Sequence, residues 1–254
     1  MDQREYYRFM GYRPEALRER YVPYADRFQR GATVVDVGCG RGEFLELLRD
    51  RGVLGIGVDA DASMVEDVCQ KDLDARQGDG RSFLEAHPDS LDGVFMAHVA
   101  EHLAPDDLAA LINAASTSLR PNGRLILVTP NPQNLQMQLH DFWIDLQHVR
   151  FYNPHIVHWL FHSAGLTACE LGENALYRLG PDWAVDGSAP LAGAPAEHAA
   201  GLRRAFGAQV PESVWQRLEE LEQRVDLLTA WAASLYPPGE YFVTGILPAR
   251  ETSA

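Results

Sequence analysis

The stretch Thr33-Val34-Val35-Asp36-Val37-Gly38-Cys39-Gly40-Arg41-Gly42-Glu43-Phe44 constrains the fold more than any other part of this chain. Val34, Val35 and Val37 are apolar and β-branched, which predicts a buried strand. Phe44, Leu45, Leu47 and Leu48 recur at helical spacing, so the glycines turn the chain from strand into helix. Such a unit leaves a crevice at the carboxyl end of a parallel strand, facing a helix N-terminus. Gly38 and Gly40 let a ligand approach the backbone where a Cβ would collide. Two details narrow the ligand. The spacing is Gly-x-Gly-x-Gly, not the Gly-x-Gly-x-x-Gly of dinucleotide turns. Asp36 stands just ahead of the turn, where it would repel a pyrophosphate and suit a cationic amino group.

With 254 residues, 46% apolar and 23% charged, the chain has the makeup of one α/β domain with elaborations and a large core. Lys+Arg 22 against Asp+Glu 36 leaves a net charge of −14. Generic binding to nucleic acid or an anionic membrane is therefore unfavourable. No apolar run reaches transmembrane length and the N-terminus lacks a secretory segment, so a cytoplasmic protein without membrane insertion is expected. Cys39, Cys69 and Cys169 are few and scattered, which predicts free thiols, with neither a disulfide framework nor a Cys-based zinc site.

Residues 1–30, rich in Tyr and Arg, read as a helical cover or lid with a helix over Pro14–Gln29, and residues 31–254 as the main domain. A lid would bring Arg20 or a tyrosine over the crevice. A second strand, Val53–Val58, ends in Asp59, 21 residues beyond Gly38, the separation at which an acid reaches a ribose diol. Ser63 is expected to cap the helix that follows. A short strand at Asp72–Gln77 leads to Gly78-Asp79-Gly80, which is also good turn chemistry. Then come a strand Asp92–Ala97, a helix Pro105–Leu119 closed by Arg120-Pro121-Asn122-Gly123, and a strand Arg124–Thr129. A helix Pro154–Ser163 and a strand Leu166–Leu171 follow, and the Gly/Ala/Pro-rich stretch 180–201 reads as a flexible loop. Within a helix at 211–235, Val214, Leu218, Leu221, Val225, Leu228, Ala232 and Leu235 alternate in steps of four and three. That is a coiled-coil seam, which suits a homodimer or another partner as well as packing on the parent domain. A strand at Glu240–Leu247 closes the fold, so the helix reads as an insertion (about 197–236) before the last strand.

Two further stretches carry chemistry. In His98-x-x-Glu101-His102, a helical backbone would put two imidazoles and a carboxylate on one face, a set suited to a divalent ion. In His140-Asp141-Phe142-Trp143-Ile144-Asp145-Leu146-Gln147-His148, aromatic, acidic and imidazole groups crowd a segment of weak periodicity, which reads as a functional loop. His102 or His148 could serve as a general base, with Asp145 orienting His148. His140, His155, His158 and His162 read as ordinary loop or helix residues.

The Asp-x-Gly-x-Gly-x-Gly form of the first motif resembles the class I S-adenosylmethionine (SAM) methyltransferases. That resemblance implies a Rossmann-like, seven-stranded α/β sheet with its last strand antiparallel. It also implies SAM as cofactor, at Asp36, Gly38, Cys39, Gly40, Asp59, Ala60, Asp79, Gly80 and His98, with Arg20 reaching in from the cover. Thr129-Pro130-Asn131-Pro132 followed by Phe142-Trp143-x-Asp145-x-x-His148 looks like the methyltransferases of bacterial O-antigen and capsule assembly. A methyl group would then pass to a saccharide hydroxyl, with small-molecule acceptors or a scaffolding role in polysaccharide assembly as alternatives. The Glu-His pair with a later His is also similar to small-RNA 3′-terminal 2′-O-methyltransferases. That likeness implies a candidate divalent-metal set of His98, Glu101, His102 and His148, and an RNA 3′-terminal ribose as a less favoured acceptor.

Overall fold

A computed structural model of the chain describes residues 3–9, 11, 13–180, 203–204 and 211–249. Helices α1 (Gln3–Phe9) and α2 (Pro14–Ala25) precede β1 (Thr33–Val37), α3 (Glu43–Asp50), β2 (Leu54–Asp59), α4 (Ala62–Cys69) and β3 (Asp74–Gln77). Next come α5 (Gly80–Glu85), β4 (Leu91–Ala97), α6 (Pro105–Ser118), β5 (Leu119–Pro130) and α7 (Leu135–Leu139). The chain closes with α8 (Pro154–Ser163), β6 (Thr167–Glu173), α9 (Glu212–Ala233) and β7 (Glu240–Ile246). The strands form one sheet in the order β3-β2-β1-β4-β5-β7-β6. β1 through β5 pair in parallel, and β7 runs antiparallel to both β5 and β6. This is the Rossmann-like α/β order with an antiparallel last strand.

The central strands are apolar on both faces, as helix-covered parallel strands must be. On β1 and β5, Val35, Val37, Leu125 and Leu127 point to one layer, which α6 and α8 cover with Leu108, Ile112, Val157 and Phe161. Val34, Ile126 and Val128 point to the other, beneath Tyr24 of α2 and Phe44, Leu45 and Leu48 of α3. The strand order reverses about β1, which lies between β2 and β4. A crevice therefore opens at the carboxyl ends of β1 and β4, where the first motif sits.

Several local expectations are corrected. α2 ends at Ala25, not Gln29, with Pro23 inside it. From there Arg27 and Phe28 donate their N–H groups to the carbonyls of Tyr24 and Ala25, three residues back, which tightens the chain into turns. Asp61, not Ser63, caps α4, because Asp61 Oδ1 accepts from both the N–H (2.8 Å) and the hydroxyl (2.6 Å) of Ser63. β5 begins at Leu119, and residues 120–123, expected as a plain turn, form an irregularity within it, the register jumping from Leu119↔Leu91 to Arg124↔Gly93. Beyond Gly180, the proposed 180–201 loop lies outside the described residues. In α9 the seam residues Val214, Leu221 and Leu228 are exposed, whereas Trp215, outside the seam, is buried. No described helix is long and apolar enough to cross a membrane. All three cysteines are free thiols.

Candidate active site

The glycine turn is built by backbone conformation. Gly38 (φ 72°) and Gly40 (φ 52°) occupy the left-handed region. A Cβ at Gly38 would come 2.6 Å from Val99 Cγ2, and one at Gly40 2.9 Å from the Tyr7 hydroxyl. Asp59 fixes the turn from the end of β2, its Oδ2 accepting from the Gly40 N–H and its Oδ1 from the Asp61 N–H, both at 2.9 Å. Asp36 is buried beneath this turn. Burial first, and then the neighbouring charges of Asp59 and Glu43, push its carboxyl well above the usual carboxylate range. Such a group gains when a cation arrives. Cys39 turns its Sγ into the core beside Gly57, and burial pushes its thiol up. Asp79 caps α5, accepting from Ser82 through Oδ1, which lowers its carboxyl. Gly80 leaves room for Val37. Asp36, Gly38, Cys39, Gly40, Asp59, Ala60, Asp79 and Gly80 all line one cavity of about 800 Å³.

The same cavity extends to the 141–148 loop, which contributes Asp141, Asp145 and His148 to its wall. The helical condition for a shared face over residues 98–102 is not met: His98 is left-handed (φ 56°) and a short 3-10 turn, Ala100–His102, follows. His98 therefore does not share a face with His102. The cluster brought together is Glu101, His102 and His148, one ligand atom of each lying within 4.8 Å of the others. His102 Nδ1–H donates to the Gln147 carbonyl (3.1 Å) and His148 Nδ1–H to the Phe142 carbonyl (2.6 Å). In both rings this tautomer leaves Nε2 with its lone pair. Burial chiefly lowers the His148 imidazole, outweighing the pull of nearby Glu101, so its neutral form is favoured. Asp145 lies 3.8 Å from His148 Nε2 and accepts instead from the Tyr6 hydroxyl at 2.7 Å.

His98 also lines the cavity, but its ring is held by a largely buried network that shares Glu101 with this cluster. Its Nδ1 faces Glu101 Oε1 and its Nε2 faces Glu240 Oε2, each at 3.0 Å, and Arg20 also contacts its Nε2. Burial and Arg20 pull this imidazole down, but the two carboxylates outweigh them and leave it raised. Glu101 also accepts from the Thr129 hydroxyl at 2.9 Å. Glu240 receives Arg20 Nε at 2.7 Å on Oε2, and Asn174 Nδ2 at 2.6 Å with the Tyr24 hydroxyl at 3.1 Å on Oε1. The Arg20 guanidinium lies 3.7 Å over the Tyr177 ring. Arg20 thus lines the cavity with its charge already engaged by Glu240. Glu240 and Asn174 escaped sequence reasoning. The one available signal was a carboxylate opening an otherwise apolar strand.

The N-terminal segment lies across both ends. Arg4 ties α1 to α4 through Asp67 and the Ser63 carbonyl, each at 3.0 Å. Tyr7 meets Gly40 while Tyr6 reaches Asp145, so one helix touches the glycine turn and the 141–148 loop.

A methyltransferase domain family model matches residues 6–171. An indolepyruvate C-methyltransferase from Streptomyces griseus is 31% identical over 122 residues, 44% of this chain and 37% of that protein. A trans-aconitate 2-methyltransferase from Azoarcus sp. (strain BH72) is 33% identical over 135 residues, 51% of this chain and 50% of that protein. The chain thus spans half or less of the length of these curated relatives. The crystal structure of a SAM-dependent methyltransferase from Archaeoglobus fulgidus matches with a TM-score of 0.69 and 21% identity, over 97% of this chain and all of that one. At that identity the likeness is one of fold.

Proposed function

The chain belongs to the methyltransferase domain family, and from that premise we propose that it methylates a hydroxyl of a saccharide or similar polyol, with His148 as general base. The observation that carries this reading is the pair of imidazoles, His102 and His148, each held through Nδ1 by a backbone carbonyl so that Nε2 keeps its lone pair on the cavity wall. An alcohol needs such a base to lose its proton as it attacks.

The crevice fits SAM. Asp36 is a buried carboxylate among acids and so suits an ammonium group, while Gly38 and Gly40 keep the backbone bare. Asp59 accepts backbone N–H groups on both oxygens and presents its carboxylate on the cavity wall, where it suits a ribose diol. Bound there, SAM supplies an electrophilic methyl group on a sulfonium. The chain's own residues do the rest. His148 accepts the acceptor's proton at Nε2, Asp145 and Gln147 offer hydrogen-bonding groups to neighbouring hydroxyls, and α1 closes the cavity to water through Tyr6. The acidic and amide character of this wall suits a polyol better than an anionic acceptor. A divalent ion held by Glu101, His102 and His148 would lower the hydroxyl pKa to the same end.

A second reading has its own support. The relative named for C-methylation of indolepyruvate suggests a small carbon acid as acceptor, from which the same imidazole would take a carbon-bound proton. The deciding experiment incubates the protein with SAM and separate panels of sugars and 2-oxo acids, and follows a one-methyl mass gain. Gain on sugars supports the first reading and gain only on 2-oxo acids the second. No binding of S-adenosylhomocysteine in calorimetry would refute both. Chelation followed by metal add-back tests the ion, since activity unaffected by chelator leaves His148 as a direct base.

A further inference from the structure

We propose that His158, His162 and Cys169 form a second site, which binds one divalent transition ion of the zinc type at the edge of the sheet. None of the three lines the cavity described above. The sequence disguises them, because the histidines look like ordinary helix residues and a lone cysteine carries no metal spacing.

The fold supplies what the sequence lacks. On α8, Val157 and Phe161 are buried against the sheet, and His158 and His162 each follow one of them by one position. Four residues apart, the two histidines share a helix face, with rings edge-on and centroids 4.9 Å apart. Among the described residues no hydrogen bond occupies their ring nitrogens. β6 is the edge strand, and its pairing with β7 slips between Thr167 and Glu170. Within that slip Ala168 adopts φ 48°, a left-handed conformation that costs a non-glycine residue about 1–2 kcal/mol. Such bulges re-aim a side chain. Here the next residue is Cys169, whose Sγ sits near Phe161 of α8, both within 3.1 Å of where a Gly245 Cβ would lie.

One nitrogen from each histidine and the sulfur all lie within 4.8 Å of one another. Tetrahedral zinc bonds imply ligand separations of about 3.3–3.6 Å, so a shift of about 1 Å closes the set. His162 is exposed and can rotate to supply it. Two imidazoles and a thiolate are borderline-to-soft donors, which favour zinc or cobalt over magnesium or calcium. On binding, the Cys169 S–H bond breaks as the sulfur–metal bond forms, and the proton leaves to solvent with no change in oxidation state. The ion would staple α8 to the edge strand.

The test uses the full chain without a histidine tag, titrated with Co²⁺ and then with Zn²⁺. A thiolate-to-cobalt charge-transfer band should appear, saturate at one ion per chain, and bleach as Zn²⁺ displaces cobalt. A band of this type identifies sulfur, so the Glu101–His102–His148 cluster cannot produce it. It should vanish in Cys169→Ser and persist in Cys69→Ser and in His148→Ala. His162→Ala changes an exposed side chain and guards against misfolding of the cysteine variant, and it should weaken cobalt binding at least about tenfold. Absence of the band, its survival in Cys169→Ser, or unchanged affinity in His162→Ala overturns the proposal. These readouts do not depend on methyl transfer.

Discussion

Replacing Glu240 with glutamine isolates the charge at the centre of the buried network, because shape and volume barely change. The wild-type carboxylate receives donors on both oxygens, Asn174 and Tyr24 on Oε1, Arg20 and His98 on Oε2. An amide offers one oxygen and one NH₂, so either orientation turns a donor toward donors and leaves the Arg20 guanidinium without a counter-charge. Breaking a buried ion pair from one side costs about 3–5 kcal/mol. At roughly 2–4 °C per kcal/mol for a domain of this size, Glu240→Gln should lower the thermal midpoint by roughly 6–20 °C. Adding Arg20→Met removes the orphaned cation, so the double variant should lose less than the sum of the singles by about 1–3 kcal/mol. The effect also has a pH signature. Burial by itself would raise the Glu240 carboxyl, but Arg20 and His98 bring it down to about 2. A group depressed in the folded state contributes stability above its unfolded value of roughly 4.3, and that contribution fades as pH falls through the folded value. The gap between wild type and Glu240→Gln should therefore be full at neutral pH and shrink between roughly pH 4.3 and about 2. Urea or calorimetric unfolding measures all three. A midpoint within roughly 2 °C of wild type, or additive losses in the double variant, would refute the reasoning.

Three other outcomes follow from the site. Asp36→Asn removes a charge expected to meet an ammonium group, and should weaken S-adenosylhomocysteine binding roughly 10–150-fold in calorimetry; a change under about twofold would count against that role. His148→Ala should cut kcat by roughly 10²–10⁴ if the imidazole is the base. Because burial lowers this imidazole, wild-type activity should climb through an apparent pKa below the free value of roughly 6.5 and stay level above it, so an inflection on the alkaline side of that value contradicts the assignment. Tyr6→Phe deletes the 2.7 Å bond to Asp145 and should raise the acceptor KM roughly 3–10-fold with little change in kcat, whereas an unchanged KM would show that α1 does not close the cavity.

What the amino-acid sequence settled on its own was local or periodic. Val34 to Phe44 specify strand, turn and helix within a dozen positions, since β-branching, left-handed glycines and helical spacing act over neighbours. Apolar, β-branched runs marked the central strands in the same way, whereas the seven-stranded sheet with its antiparallel last strand was implied by the resemblance of the first motif to the class I methyltransferases. Ends were legible less well. Asp61 and Ser63 are both competent caps, and only the folded geometry, in which Ser63 donates to Asp61, chooses between them.

The tertiary structure decided whatever depends on one backbone angle or on distant pairing. A helical face over residues 98–102 was reasonable from spacing, yet the left-handed His98 sends that ring to Glu240 and leaves Glu101 and His102 to meet His148. Arg20 was expected to be available for a ligand and is instead held by Glu240, 220 positions away, because α2 packs across the start of β7. Cys169 faces α8 through a slip in an edge strand. Such juxtapositions arise from packing between segments that share no local signal, so spacing along the chain could nominate the residues but not assemble them.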